Sequence, residues 1–385
     1  MSFADVQNEV YLSGVGGQTP PYPVGWRDLE AAGQAAMSPQ ALGYVAGGAG
    51  GEETLRANRE AFDHWRIVPR MLRGVPAARD LGITLLGRQL PAPVLLAPVG
   101  VLEIVHPDAE LAVARAAAAL GVPIVLSTAA STPMEEVAAV GGPRWYQLYF
   151  PKDRELATSL VQRAERAGYE AIVFTLDTWQ LGWRPRDLDA AYLPFLRSLG
   201  LAQYLSDPVF CSRLTKSPQD DPDAAVLLWA GLFGNPDLSW EDIAWLRSQT
   251  TLPIVVKGVQ HPDDARRAVE AGAAGIVCSN HGGRQVDGAI GALDALPGIV
   301  AAAGELPVLF DSGVRTGADA LKALALGAAA VLLARPYVYG LALGGEDGVR
   351  HVLRTFLADL DLQLGLSGHA AVSELTTQSL TARRG

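Results

Sequence analysis

The 385-residue sequence predicts an α/β protein built as a (β/α)8 TIM barrel, with a helical N-terminal extension and a long insertion after the fourth strand. Three observations predict it. Short runs rich in Val, Ile and Leu alternate with longer segments of helical periodicity, the signature of βαβ units in a parallel sheet. The runs number eight and are apolar on both faces, as buried parallel strands must be. Each run ends in polar residues, Gly or Pro, on the face where barrels of this kind place their sites.

Taken in order, residues 1–80 precede the first barrel strand and hold two helical segments, around WRDLEAAGQAAM and PQALGYVAGG, expected to cap the barrel's floor or side. The eight runs are VLLAP (94–98), IVLST (124–128), WYQLY (145–149), AIVFTLD (171–177), IVVKG (254–258), GIVCSN (275–280), VLFDSG (308–313) and VLLARP (331–336). Helices between them are clearest at PDDARRAVEAG (262–272) and TGADALKALALG (316–327), which open with acidic residues and close on Gly. The fourth and fifth runs are the farthest apart, and residues 185–240, rich in Pro, Asp, Trp and Leu, read as a lid over the barrel mouth. ELTTQSLTARRG at the end reads as a polar tail. The whole of 1–385 is expected to form one domain.

With 49% hydrophobic residues the chain can bury a large core. Its net charge of -10 gives a long-range field that repels nucleic acid and anionic membrane, so an anionic ligand must be met by local charge. Two cysteines, Cys211 and Cys278, exclude a disulfide framework and fit a reducing cytoplasm. No secretory signal is read in the first twenty residues, and AVLLWAGLFG (225–234) is too short to span a bilayer, so a soluble, cytoplasmic protein is expected. No metal site is singled out.

The strand ends carry the chemistry. Pro98, Gly100, Ser127, Gln147, Tyr149, Thr175, Asp177, Lys257, Ser279, His281, Asp311, Gly313 and Arg335 all fall there. Turn propensity explains the Gly, Pro and Ser, but a Lys, a His, an Arg and two Asp exceed it. DSGVRTGAD after the seventh strand and ARP at the eighth place Arg315, Arg335 and a helix N-terminus where barrels commonly bind phosphate.

SNHGGRQ (279–285) brings a resemblance into view. With GYVAGGAGGEETLRANREAF, QLYFPKDR, TLDTWQLGWRPRD, VVKGV, DSGVRTGADALKALALGA and LSGHAAVSEL, it resembles the FMN-dependent 2-hydroxy acid oxidase and dehydrogenase family over most of residues 40–375. The resemblance implies FMN as cofactor and oxidation of a small 2-hydroxy acid, with assembly as a homotetramer or homo-octamer. TLDTWQLGWRPRDLD, the DSG turn and the long insertion lean toward lactate 2-monooxygenase, which would take lactate and O2 to acetate, CO2 and water. The alternatives are an oxidase releasing the 2-oxo acid and H2O2, or a dehydrogenase using another acceptor.

Residue by residue, the resemblance makes His281 the base and Asp177 its carboxylate partner. Arg284 becomes the substrate-carboxylate ligand, with Tyr44, Tyr149 and Arg184 as further substrate contacts. Lys257 lies beside the flavin N1 and O2, and Ser127, Gln147, Thr175 and Ser279 bond the ring edge. Pro98, Val99 and Gly100 face the ring, Asp311 meets the ribityl chain, and Gly313, Arg315, Ala334 and Arg335 form the phosphate cradle. Ala334 and Ser312 stand where glycolate oxidase has Gly, and Ala129 where it has Trp, a change expected to widen the pocket. Gly100, where many oxidases carry Ala, is expected to leave a methyl-sized space that lets product and peroxide coexist under the lid.

Overall fold

A computed structural model describes residues 2–383. Its centre is a closed barrel of eight parallel strands: β1 (Val94–Leu96), β2 (Ile124–Ser127), β3 (Arg144–Leu148), β4 (Ile172–Thr175), β5 (Ile254–Val259), β6 (Gly275–Cys278), β7 (Val308–Phe310) and β8 (Ala330–Leu333). Neighbours in sequence are neighbours in the sheet, and β8 pairs β1 to close it. Every run read from the sequence is a barrel strand.

The two-residue alternation of a strand sorts the side chains. Leu95, Val125, Trp145, Val173, Val255, Val277, Leu309 and Leu332 point inward and pack as one apolar cluster. Continuing the same parity by two residues toward each strand's C-terminal end reaches Ala97, Ser127, Gln147, Thr175, Lys257, Ser279, Asp311 and Ala334. The layer at the mouth is therefore largely polar by the same geometry that makes the layers below apolar. Outward-facing residues such as Leu96, Leu126, Phe174 and Phe310 join the core between strands and helices.

A two-stranded hairpin, Ile83–Leu85 paired with Arg88–Leu90, closes the floor, with Leu85 and Leu90 in the barrel's inner cluster. This corrects the expectation for the N-terminal helices. They number four, and the one at Trp26–Ala35 does lie along the barrel's side, where Gly33 allows close approach to Tyr339. The helix Pro39–Ala46, capped by Ser38, instead reaches the mouth and brings Tyr44 and Val45 to the cleft. The expected polar tail is also corrected. Leu380–Ala382 pairs with Trp65–Ile67, and His369 lies buried between the hydroxyls of Ser367 and Ser379, so backbone pairing absorbs a segment whose side chains look solvated.

The chain between β4 and β5 forms five α-helices, from Pro185–Asp189 to Glu241–Arg247, with a 3-10 turn at Pro194–Arg197. Its middle is anchored by buried Arg163, which bonds Asp207, Glu135, Ser206 and the Gln203 carbonyl. From that anchor Phe195 and Phe233 reach over the mouth. Among the described residues, no helix is long and apolar enough to cross a membrane. Both cysteines are free, with Cys278 buried in β6.

Candidate active site

Register builds the strand-end layer. Ser127 is level with Gln147, and Thr175 with Lys257. Ser127 Oγ donates to Gln147 Oε1 at 3.0 Å, and Gln147 Nε2 donates to Thr175 Oγ1 at 2.9 Å, giving a row of polar groups across three strands. Lys257 Nζ continues it around the mouth, donating to Ser279 Oγ at 3.0 Å and lying 3.3 Å from Asp311 Oδ2. The strand register shifts between Lys257 and Val259, a bulge at Gly258, where φ is +103° and an added Cβ would sit 2.7 Å from Asp177 Cβ. Glycine in VVKGV thus makes room for the neighbouring strand's carboxylate.

Beyond β4 and β6, Asp177 and His281 meet. His281 Nδ1 lies 2.8 Å from Asp177 Oδ1, and the Thr178 hydroxyl donates to the same oxygen at 2.9 Å. A proton on Nδ1 leaves the Nε2 lone pair facing the cleft, 3.4 Å from the Tyr149 hydroxyl. Burial raises the proton affinity of Asp177, but the charge and hydrogen bond of His281, with Lys257 and Thr178, overcome this and hold it at about 2. Burial outweighs Asp177 at the imidazole, aided by the Lys257 charge, so His281 sits below its usual 6.5. A neutral imidazole beside a carboxylate anion is a base ready to take a proton.

Two further cations face the cleft; among the described residues neither makes an ion pair, though the Asp187 carboxylate lies near enough to act on both. Buried Arg184 donates from Nε to the Arg284 carbonyl at 3.1 Å and from Nη2 to Gln285 Oε1 at 2.8 Å. Arg284 donates from Nη1 to the Gly47 carbonyl at 2.8 Å and lies 5.0 Å over the Tyr44 ring. Burial, and then the Arg184 charge beside it, lower its guanidinium to about 9. An anion between the two would relieve both penalties. Burial raises the phenols of Tyr44 and Tyr149, which stay protonated as donors. Tyr44, Phe195, Trp229, Phe233 and Tyr149 run ring to ring over the mouth, with centroid spacings of 6.5, 4.9, 5.2 and 5.8 Å.

At the far end of the cleft a helix starts at Arg335, with Ala334 before it supplying no side-chain cap. Pro336 has no N–H, and the Tyr337 and Val338 amides bond the Ala334 carbonyl, so among the described residues the Arg335 N–H is the amide of this first turn left for a ligand. Arg335 donates to the carbonyls of Val45, Gly47 and Gly282, and Arg315 lies 3.4 Å from Glu30. An uncapped helix N-terminus with two guanidiniums can hold a phosphate dianion. The donor set fits FMN: phosphate at this end, the polar row for a ring edge, and Lys257 for negative charge.

The cleft holds Tyr44, Pro98, Val99, Gly100, Tyr149, Arg184, Lys257, His281, Arg284, Asp311, Gly313, Arg315, Ala334 and Arg335 along its walls. Asp177, Ser127, Gln147, Thr175 and Ser279 lie directly behind them. One expectation fails on geometry: Gly100 leaves no methyl-sized space. A Cβ there would stand 2.8 Å from Ala129 Cβ and 3.0 Å from the Ala129 carbonyl, because Val101 N–H bonds that carbonyl and draws the two segments together. Sequence reasoning missed Thr178, Leu181, Phe195, Phe233 and the Ser312 hydroxyl. Thr178 follows Asp177 directly, and Ser312 departs from Gly, so both carried a signal; the lid residues carried none.

The sequence model of the FMN-dependent dehydrogenase family matches residues 33–382. The chain belongs to that family. As a member it binds FMN and is an oxidoreductase of the 2-hydroxy acid oxidising kind. It is 45% identical to an FMN-dependent alpha-hydroxy acid dehydrogenase of Penicillium citrinum, over 97% of this chain and 94% of the relative. An L-lactate oxidase of Lysinibacillus sphaericus is 44% identical over 95% and 94%. Among solved structures, mandelate oxidase superposes with a TM-score of 0.83 at 40% identity, covering 94% of this chain and 99% of that one.

Proposed function

We propose that the chain, acting as one FMN-binding unit, oxidises a lactate-sized L-2-hydroxy acid with O2 as final acceptor. The observation that carries this reading is the pair of buried arginines, Arg184 and Arg284, hydrogen-bonded to neutral oxygens and lining the same cleft as the Nε2 of His281. Arg284 grips the substrate carboxylate, Arg184 completes the grip, and Tyr44 and Tyr149 donate to its oxygens. His281 Nε2 takes the proton, and Asp177 stabilises the imidazolium that results. FMN, when bound, accepts the two electrons that leave the substrate carbon. Lys257 places a cation where negative charge collects on the ring edge, which Ser127, Gln147, Thr175 and Ser279 bond. Pro98, Val99 and Gly100 face the ring. Asp311 takes the ribityl hydroxyls, and Gly313, Arg315, Ala334 and Arg335 take the phosphate.

Release of pyruvate and H2O2 is the outcome supported best, since L-lactate oxidases at 42–44% identity are among the relatives and Gly100 provides no spare volume. The aromatic wall from Tyr44 to Tyr149 favours a second reading, retention of pyruvate and decarboxylation to acetate, CO2 and water, as in lactate 2-monooxygenase. One experiment tests all of it. L-lactate added without oxygen should bleach the flavin, and the carbon products are then identified after air is admitted. Failure of L-lactate to bleach while mandelate does would replace the substrate; acetate in place of pyruvate would select the second outcome.

A further inference from the structure

We propose that Ser312 is the positioning residue for His281, its hydroxyl fixing the turn that aims the imidazole at the cleft. The inference rests on the reading of His281 as the base. Ser312 has φ +81° and His281 φ +58°, two non-glycine residues in the left-handed region, facing each other across the ends of β7 and β6. Such conformations persist where surrounding bonds hold them.

The bonds that hold them converge on one oxygen. Ser312 Oγ accepts from Asn280 N–H at 3.3 Å and from Gly282 N–H at 3.0 Å, the two amides flanking His281, and donates to Asp311 Oδ1 at 2.7 Å. Its single proton and both lone pairs are in use. The amide between them, His281 N–H, goes to Ser279 Oγ at 3.1 Å, and that oxygen also accepts from Lys257 Nζ. Lys257 lies 3.3 Å from the other oxygen of Asp311. A closed circuit therefore runs from Lys257 through Ser279, the His281 turn, Ser312 and Asp311 back to Lys257. A glycine at 312, as in glycolate oxidase, would suit the backbone but break the circuit. The serine exchanges an easier backbone for a fixed turn.

The consequence falls on the 2.8 Å contact between His281 Nδ1 and Asp177. The charged groups facing the imidazole are Asp177 on the β4 end, Lys257 on β5 and Arg184 on the insertion, with the Tyr149 phenol on the β3 end. Asp177 alone of these favours the imidazolium, so a loosened turn lowers the proton affinity of His281 while the cations keep acting.

The test uses Ser312→Gly and Ser312→Ala in the FMN-loaded protein. Glycine is at ease at this φ, so that variant keeps its fold; alanine removes the hydroxyl while leaving the side-chain strain. Both should slow anaerobic flavin reduction about tenfold, a misplaced-base effect, with FMN content unchanged. Histidine-selective 15N spectra supply a second readout, since the chain has six histidines and the His281 signal is the one lost in His281→Gln. Its titration midpoint should move to lower pH in both variants. Native reduction and an unmoved midpoint in both would overturn the proposal, as would a change in glycine alone, which would mean that only the backbone matters. If His281→Gln itself reduces flavin normally, the reading of His281 as base is what fails.

Discussion

At the strand ends, Ser127, Gln147 and Thr175 bond one another in a row and Lys257 is held by Ser279 and Asp311. In the loops above them, Arg184 and Arg284 meet only neutral oxygens, and Asp177 Oδ2 is buried with no hydrogen-bond partner. The first half is complete before any ligand arrives, because parallel strands fix the level of every inward side chain. The second half stores unmet demand. Preorganised donors suit a resident cofactor, whereas two desolvated guanidiniums suit an anion that comes and goes.

The contrast can be broken by substitution, beginning in the loop half. His281→Gln should retain FMN and lose about 10²- to 10⁴-fold in anaerobic reduction, measured by stopped flow; a native rate would remove the base from that half. The pH profile of the native protein sharpens this. Because burial lowers His281, the base stays neutral down through 6.5, and the rate should fall only as pH drops below that value. In the strand half, Lys257→Met leaves Asp311 buried without its cation, and chemical denaturation should show a loss of about 3–5 kcal/mol along with slower reduction. Arg284→Lys keeps the charge but not the two-point grip, so kcat/KM should fall about 10- to 100-fold with stability near native. Smallest is Gly100→Ala, which should cost about 1–3 kcal/mol by overpacking and be rescued by Ala129→Gly. Additive losses in that double variant would show the two positions to be independent.

The strand half was the legible one. Eight apolar runs with polar ends fix the barrel, and counting two residues onward from Val255 or Leu309 reaches Lys257 or Asp311 without any knowledge of the fold. In the loop half, Tyr149, Asp177 and His281 showed as polar strand ends, but Arg184 and Arg284 were legible only through resemblance, since nothing local announces that the two meet. Phe195 and Phe233 were missed because aromatic residues in a long insertion look like ordinary packing. Gly100 was misread because its neighbour Ala129 comes from the next strand, and a single chain position does not reveal what its missing Cβ would meet. The tail was misread for a related reason: Leu380–Ala382 is held by backbone pairing with Trp65–Ile67, which side-chain polarity does not report.

The hairpin at the floor has a kinetic consequence. With Leu85 and Leu90 seated among Trp145 and Leu95, the floor of the barrel is plugged among the described residues, which leaves the mouth as the passage to the cleft. If Arg184 and Arg284 hold the carboxylate as proposed, an incoming hydroxy acid and an outgoing oxo acid compete for the same two arginines in the same passage. Accumulated oxo acid should therefore raise the apparent KM for hydroxy acid and leave the maximal rate untouched, a toll set by a plug on the side of the barrel opposite the chemistry.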